Sequence, residues 1–294
     1  MRVLNFGSLN LDYVYTVDRF VRPGETLAAS SRSVKAGGKG LNQSVALARA
    51  GAPVCHAGCV GEGGEPLKRL LEQNGVDTRY LRPVKEAQGH TVIQVDPKGE
   101  NCILLCGGSN RCVTEEQVSR TLADFGPGDW LVLQNEINLL PLIVDTAAGR
   151  GLTVVLNPSP CDETLKAVDF GKLDWLLVND VEAGQITGES DPEKAWAVLH
   201  RKYPRLSVLV TLGSRGSMAF RVCGDAVETA RQRAVRVEAV DTTGAGDTFT
   251  GYLVAGLAQG LPLGQCMDLA GRAAAVSVTR PGAADSIPRR EELE

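Results

Sequence analysis

Cysteine pairs at metal-ligand spacing, clustered basic residues, a long charge-free apolar run and the two most familiar nucleotide-binding loops are all missing from this chain of 294 residues. None of its eight cysteines forms a Cys-x-x-Cys pair. The Cys-x-x-x-Cys spacings at Cys55/Cys59 and Cys102/Cys106 fall in strand-like runs, where residues four apart share a face about 13 Å apart and cannot hold one metal. Free, buried thiols in a reducing cytoplasm are therefore expected. With 31 Lys and Arg against 35 Asp and Glu the formal net charge is −4, and no basic block forms, which argues against a nucleic-acid or polyanionic membrane surface. The three histidines, His56, His90 and His200, lie far apart without a serine elbow or paired-His spacing, which excludes a hydrolase triad and a histidine metal site. The longest uncharged stretch, Thr248 to Met267, is interrupted by glycines, glutamines and a proline. It reads as a buried helix, a turn at residues 260–264 and the start of another helix, not as a membrane span. The apolar run after Met1 is too short for a secretory signal, so export is not expected. A Gly-x-x-x-x-Gly-Lys-[Ser/Thr] loop does not occur, and no Gly-x-Gly-x-x-Gly follows a strand, which disfavours P-loop and dinucleotide-binding enzymes.

What is present in excess is glycine: 33 of 294 residues, about 11% against a norm of roughly 7%. The chain alternates short β-branched runs with amphipathic segments, the pattern of an α/β fold: a doubly wound, mainly parallel sheet flanked by helices. Buried strands are expected at Val3 to Phe6, Val54 to Val60, Trp130 to Leu133, Leu152 to Leu156, Trp175 to Val178 and Val208 to Leu212. Leu41, Val45 and Ala48 give one helical face, Thr114 with Gln117 predicts a capping box, and Pro192 suits the first turn of another helix. Tyr13 to Val34 and His90 to Cys106 break the alternation and read as antiparallel hairpin material. They predict a small β-sheet lid, approximately residues 12–35 and 89–107, carried by one domain spanning residues 1–294.

Two glycine clusters precede apolar helices: Ala36-Gly37-Gly38-Lys39-Gly40-Leu41-Asn42 and Asp241-Thr242-Thr243-Gly244-Ala245-Gly246-Asp247. Each alone is equally a flexible turn capping a helix. In the second, the small residues let backbone amides converge on one point, and Asp247 sets a carboxylate beside it. A carboxylate there would repel a resting phosphate. It suits a group that takes a proton from a neutral hydroxyl while the amides stabilise a transferring phosphoryl group.

With AGGKGLNQSVALARAG and DTTGAGDTFTG in this order and separation, the chain resembles the ribokinase, or PfkB, family of carbohydrate kinases. SLNLD, PGET, LNPSP, NDVEAGQITG, VTLGSRG and VTRPGAADSIP extend the resemblance over essentially the whole chain. It implies that Asn10, Asp12, Gly38, Lys39, Asn42 and Glu136 hold sugar hydroxyls, together with Asp247. It further implies Asp247 as general base, with Gly244, Ala245 and Gly246 as the anion hole. Asn179, Thr211, Gly213, Ser214, Gly216 and Gly246 would bind the nucleotide. Asn179 and Glu182 would organise Mg²⁺, partly through water. Asp241, Thr243, Ser277, Arg280, Gly282 and Ser286 match positions for a monovalent cation, K⁺, most of them through backbone carbonyls.

The activity implied is ATP-dependent phosphorylation of a primary hydroxyl of an unphosphorylated sugar, D-ribose to ribose 5-phosphate in the first instance. Two carboxylates near the acceptor, Asp12 and Glu136, would oppose a substrate already bearing phosphate. Fructose, a deoxy sugar or a nucleoside is the alternative acceptor, set by lid residues near Tyr13, Val14, Ile93 and Cys106. A non-catalytic sugar-binding regulator is a second alternative, against which the intact Asp247 and glycine turn speak. Several relatives carry His or Asn beside the adenine in the late helix, where this chain has Gly271 and Arg272. A cytoplasmic homodimer joined through the lid is expected, because a small sheet needs a cover for its second face.

Overall fold

In the computed structural model, which describes residues 1–293, the chain begins with β1 (Val3–Phe6), β2 (Asn10–Thr16), β3 (Ser31–Gly37), α1 (Lys39–Arg49), β4 (Val54–Glu62), α2 (Glu65–Gln73) and β5 (Asp77–Ala87). It continues through β6 (His90–Val95), β7 (Asn101–Cys106), α3 (Glu115–Ala123), β8 (Trp130–Gln134), α4 (Leu140–Gly149), β9 (Thr153–Asn157), β10 (Trp175–Asn179) and α5 (Asp180–Thr187). The last third holds α6 (Pro192–Lys202), β11 (Ser207–Thr211), β12 (Ser217–Cys223), β13 (Ala226–Gln232), α7 (Ala245–Ala258) and α8 (Leu263–Val278). The large sheet has the order β13-β12-β11-β10-β9-β8-β1-β4-β5, parallel except for β12 and β13.

Alternate residues of each strand face opposite cores, as the period of two requires. Val3, Val132, Val155 and Leu177 face the layer of α1, α2, α7 and α8, while Leu4, Leu131, Leu133 and Leu176 face α3 to α6. The chain leaves β1 for β4 and β5 on one side and returns to β8 through β11 on the other, so the order reverses between β1 and β8. Ligands of open α/β sheets gather outside the strand ends at such a reversal.

The second sheet, β3-β2-β6-β7, is the expected lid. Its hairpins are antiparallel as expected, but they join through a parallel pairing of β2 with β6. In this register Asp12 shares a face with Val14, Ile93, Ile103 and Leu105, whereas Tyr13 and Cys106 lie on the opposite face with Val34 and Leu104.

One local expectation changes. Thr114 Oγ1 does accept the Gln117 N–H at 3.2 Å, but the Gln117 side chain donates to the Gly58 carbonyl of β4 at 2.7 Å and does not return to the cap. The full capping box lies instead at Asn179 and Glu182, at the start of α5.

Candidate active site

The first glycine cluster brings α1 hard against the end of β1. A Cβ on Gly40 would stand 2.3 Å from the Ser8 backbone nitrogen, so any larger residue would push the helix off the sheet. Gly38 caps α1 without a side-chain hydrogen bond. That role falls to Glu136, just past β8: its Oε2 accepts the Lys39 N–H at 3.0 Å and the Ser8 hydroxyl. Glu136 thus supplies negative charge at a helix N-terminus, and its other oxygen lies 4.0 Å from Lys39 Nζ. Burial alone would lower the Lys39 pKa, but Asp247, Glu136, Glu182 and Asp12 together raise it, so the ammonium is held charged.

Asp12 and Asn10 approach from β2. Thr91 Oγ1 donates to Asp12 Oδ1 at 2.6 Å, yet burial still raises the Asp12 pKa. Asn10 Oδ1 accepts from Asn110 Nδ2 at 2.7 Å. Asn110, in the turn after β7, also receives the Leu9 N–H and donates to the Leu9 carbonyl, which ties the lid's root to the large sheet. Nothing in the sequence around Asn110 marks it out.

The second cluster forms the start of α7. Gly244 adopts φ 74° at the N-cap, a left-handed conformation that favours glycine. Ala245 N–H reaches the Thr242 carbonyl at 3.3 Å, while among the described residues the N–H groups of Gly244, Gly246 and Asp247 have no acceptor. The open donors are therefore centred slightly later than the expected Gly244–Gly246 trio. Asp247 is buried in the first turn; Asn42 Nδ2 donates to its Oδ2 at 2.9 Å, and Gln43 Nε2 to its Oδ1 at 2.9 Å. Burial raises its pKa, against Lys39 and these two amides, which lower it. Gly251 permits this meeting of α1 and α7, since a Cβ there would stand 2.3 Å from the Ala46 Cβ.

A cleft of about 180 Å³ opens beside these groups, lined by Lys39, Asn157, Asn179, Glu182, Thr211, Gly244, Gly246 and Asp247. It joins the two sets that the resemblance separates: Lys39 and Asp247 line it and are bonded to Glu136 and Asn42, and Asn179 and Thr211 face each other across β10 and β11. Gly213, Ser214 and Gly216 form the turn beyond Thr211 and do not line the cleft.

The capping box uses Asn179 Oδ1 and Glu182 Oε2, leaving Glu182 Oε1 for the cleft. Among the described residues no three His, Cys, Asp or Glu converge as a metal cage. That donor set fits a cation carried mainly by phosphate and water, as Mg²⁺ prefers. Asp241 gathers part of the other cation set, accepting from Thr243 N and Oγ1 and, at 2.9 Å, from Gly282 N. Burial would raise its pKa, but these donors lower it overall, so the loop carries a fixed negative charge. Ser277 and Ser286 turn their hydroxyls to the Ala274 and Ala283 carbonyls, and Arg280 pairs with Glu292. Gly271 and Arg272 lie in α8, with Arg272 3.9 Å from Asp268.

The model of the pfkB family of carbohydrate kinases matches residues 2–290. A ribokinase of Haemophilus influenzae is 36% identical over 97% of this chain and 95% of its own. A ribokinase structure from Cryptococcus neoformans in complex with ADP superposes with a TM-score of 0.85 at 35% identity, covering 99% of this chain and 98% of that one. A ribokinase structure from Arabidopsis thaliana complexed with ribose and ATP gives a TM-score of 0.87 at 28% identity, over 99% and 97% of the two chains.

Proposed function

The chain belongs to the pfkB family of carbohydrate kinases, phosphotransferases acting on a sugar hydroxyl, and from that premise we propose that it transfers the γ-phosphoryl group of ATP to the 5-hydroxyl of D-ribose. The observation that carries this reading is a buried carboxylate, Asp247, beside open backbone N–H groups at the start of α7 and hydrogen-bonded to Asn42 of the first glycine cluster.

In this reading the sugar lies between the lid root and α1, with Asn10, Asp12, Gly38, Lys39, Asn42 and Glu136 around its hydroxyls. Vicinal hydroxyls suit carboxylate and amide acceptors. Asp247 takes the hydroxyl proton as the sugar oxygen attacks the γ-phosphorus and the bond from that phosphorus to the ADP oxygen breaks. The N–H groups of Gly244, Gly246 and Asp247, at the positive end of α7, stabilise charge on the phosphoryl oxygens, and Lys39 adds a full positive charge. Asn179, Thr211 and the turn at Gly213, Ser214 and Gly216 take the nucleotide. When bound, Mg²⁺ neutralises phosphate charge; Asn179 and Glu182 would hold it through water. K⁺ would be held by the loops that Asp241 ties together, chiefly by carbonyls at residues 241, 243, 277, 280, 282 and 286.

The whole chain serves as a single kinase domain with the lid as an excursion from it. Exposed Ile103, Leu104 and Leu105 on the lid's edge strand support a homodimer in which a second copy covers them. All eight cysteines are free, but only Cys55, Cys59 and Cys266 are buried, and Cys102, Cys106 and Cys223 are exposed, against the expectation of buried thiols; exposed free thiols support work in a reducing cytoplasm, and no helix among the described residues is long and apolar enough to cross a membrane.

The test is ADP release with Mg²⁺ and a panel of ribose, deoxyribose, fructose and nucleosides, with and without K⁺. Ribose should be turned over fastest. Strong turnover of another acceptor with none of ribose would replace the substrate, and no turnover of any would favour a binding protein.

A further inference from the structure

Behind Asp247, away from the cleft, three side-chain amides are wholly buried: Asn5 in β1, Gln134 in β8 and Gln43 in α1. Polar side chains in otherwise apolar strands need an explanation, and their bonding supplies one. The Gly40 carbonyl can only accept, and Asn5 Nδ2 donates to it at 2.7 Å, which fixes which end of the Asn5 amide faces α1. The same nitrogen donates to Ser44 Oγ at 2.8 Å. Asn5 Oδ1 therefore faces the other way and accepts from Gln134 Nε2 at 2.9 Å. Gln134 Nε2 also donates to Gln43 Oε1 at 2.7 Å, which leaves Gln43 Nε2 to donate to Asp247 Oδ1.

We propose that Asn5, Gln134 and Gln43 form a one-directional amide relay, anchored on the Gly40 carbonyl, that presents Asp247 with a donor and never an acceptor, and so keeps the catalytic carboxylate ionised and aimed. The proposal rests on the reading of Asp247 as the base. The three relay members are positioning residues. Each amide has its polarity set by its neighbour, so reversing Gln43 would set its nitrogen against Gln134 Nε2, a clash that only turning every amide back to the Gly40 bond could relieve.

The function follows from the burial of Asp247, which favours the neutral acid and a base that has lost its use. Charged groups facing it are Lys39 of α1, which favours the carboxylate, and Glu136 after β8, which opposes it; Asp12 of β2 and Glu182 of α5 act on Lys39. A freed Gln43 amide could turn its oxygen toward Asp247, setting lone pair against lone pair. No substrate-contacting group would change, yet the base would hold its proton to higher pH.

Gln134→Met removes the middle donor without touching Asp247. The experiment measures single-turnover phosphoryl transfer from ATP to D-ribose, or to the acceptor the panel identifies, between pH 5 and 9, with KM for both substrates. The relay predicts that the acidic limb of the rate moves up by about one pH unit, with both KM values within about twofold of wild type. An unmoved limb, or a rate lost equally at every pH, overturns the proposal. Gln43→Met, which removes the donor to Asp247 itself, should give the same displacement and serves if Gln134→Met does not fold; failure of both to fold would make the chain of amides mere scaffolding and overturn the proposal. Asp247→Asn, run in parallel, separates the two readings. If it turns over near the wild-type rate the base assignment fails and the relay with it; if it is inactive while the limb of the Gln134 variant is unmoved, only the relay fails.

Discussion

Asn42 Nδ2 lies 2.9 Å from Asp247 Oδ2, a hydrogen bond between side chains 205 residues apart. It fastens the helix of one glycine cluster to that of the other, so sugar-side and phosphate-side groups share a frame. The Asn42 amide is half used, because among the described residues its buried Oδ1 has no partner.

That unused oxygen predicts the stability of Asp247→Asn. An asparagine at 247 can offer its NH₂ to Asn42 Oδ1 after the Asn42 amide turns over, while its own oxygen keeps the Gln43 bond. The folded-state pKa of Asp247 is raised, so its cost is absent below the ordinary carboxylate pKa and complete once the pH exceeds the folded value. Removing the charge should therefore stabilise the protein near neutral pH. Urea unfolding at pH 7 measures it; a variant less stable than wild type would contradict this account of the site.

Gly251→Ala tests whether the contact of α1 with α7 sets the geometry. The added methyl would stand 2.3 Å from Ala46 Cβ and 2.8 Å from the Leu47 backbone nitrogen, so one helix must move. Overpacking of this kind costs about 1–3 kcal/mol. The displaced first turn of α7 should lower kcat by about tenfold or more, since small misplacements of reacting groups are expensive. Melting and kcat measured together check both parts.

His56 predicts acid sensitivity. Its ring is buried, with Nδ1 2.7 Å from Ser44 Oγ, and burial pushes its pKa down to about 4. A depressed histidine contributes stability that is complete above its ordinary pKa of about 6.5 and is lost as the pH falls toward 4. Between pH 7 and 4.5 the wild type should lose about 2–3 kcal/mol more than His56→Gln. Denaturant midpoints at the two pH values give the difference, and parallel losses would contradict it.

Ile103 and Leu104 are 53% and 70% exposed on opposite faces of β7. Ile103→Glu with Leu104→Glu should convert the proposed dimer into a monomer at micromolar concentration, as read by sedimentation velocity. A wild type that sediments as a monomer would remove the dimer altogether.

The central strands were legible in the sequence to within about two residues, because buried parallel strands are continuous apolar runs. β5 and β13 were not: Asp77–Ala87 carries charges and Pro83, and Ala226–Gln232 is mostly exposed, so both resemble loops. The parallel join of β2 with β6 is a long-range register that no local pattern encodes. Both glycine clusters were readable, as their spacing serves helix starts and phosphate chemistry together. Asn5 and Gln134 read as ordinary strand residues, although a polar side chain within an apolar run is a signal that something must satisfy it. Ser8 acts through Glu136, 128 residues away, and Gly40, 32 away, and Asn110 through Leu9 and Asn10, 101 and 100 away.

The central claim is that Asp247 accepts the sugar proton during transfer from ATP. Single-turnover transfer to D-ribose by Asp247→Asn, with ribose and ATP affinities measured on the same preparation, tests it most directly. The account predicts affinities within a few-fold of wild type and a rate at least about a hundredfold lower. A near wild-type rate with intact binding would contradict it.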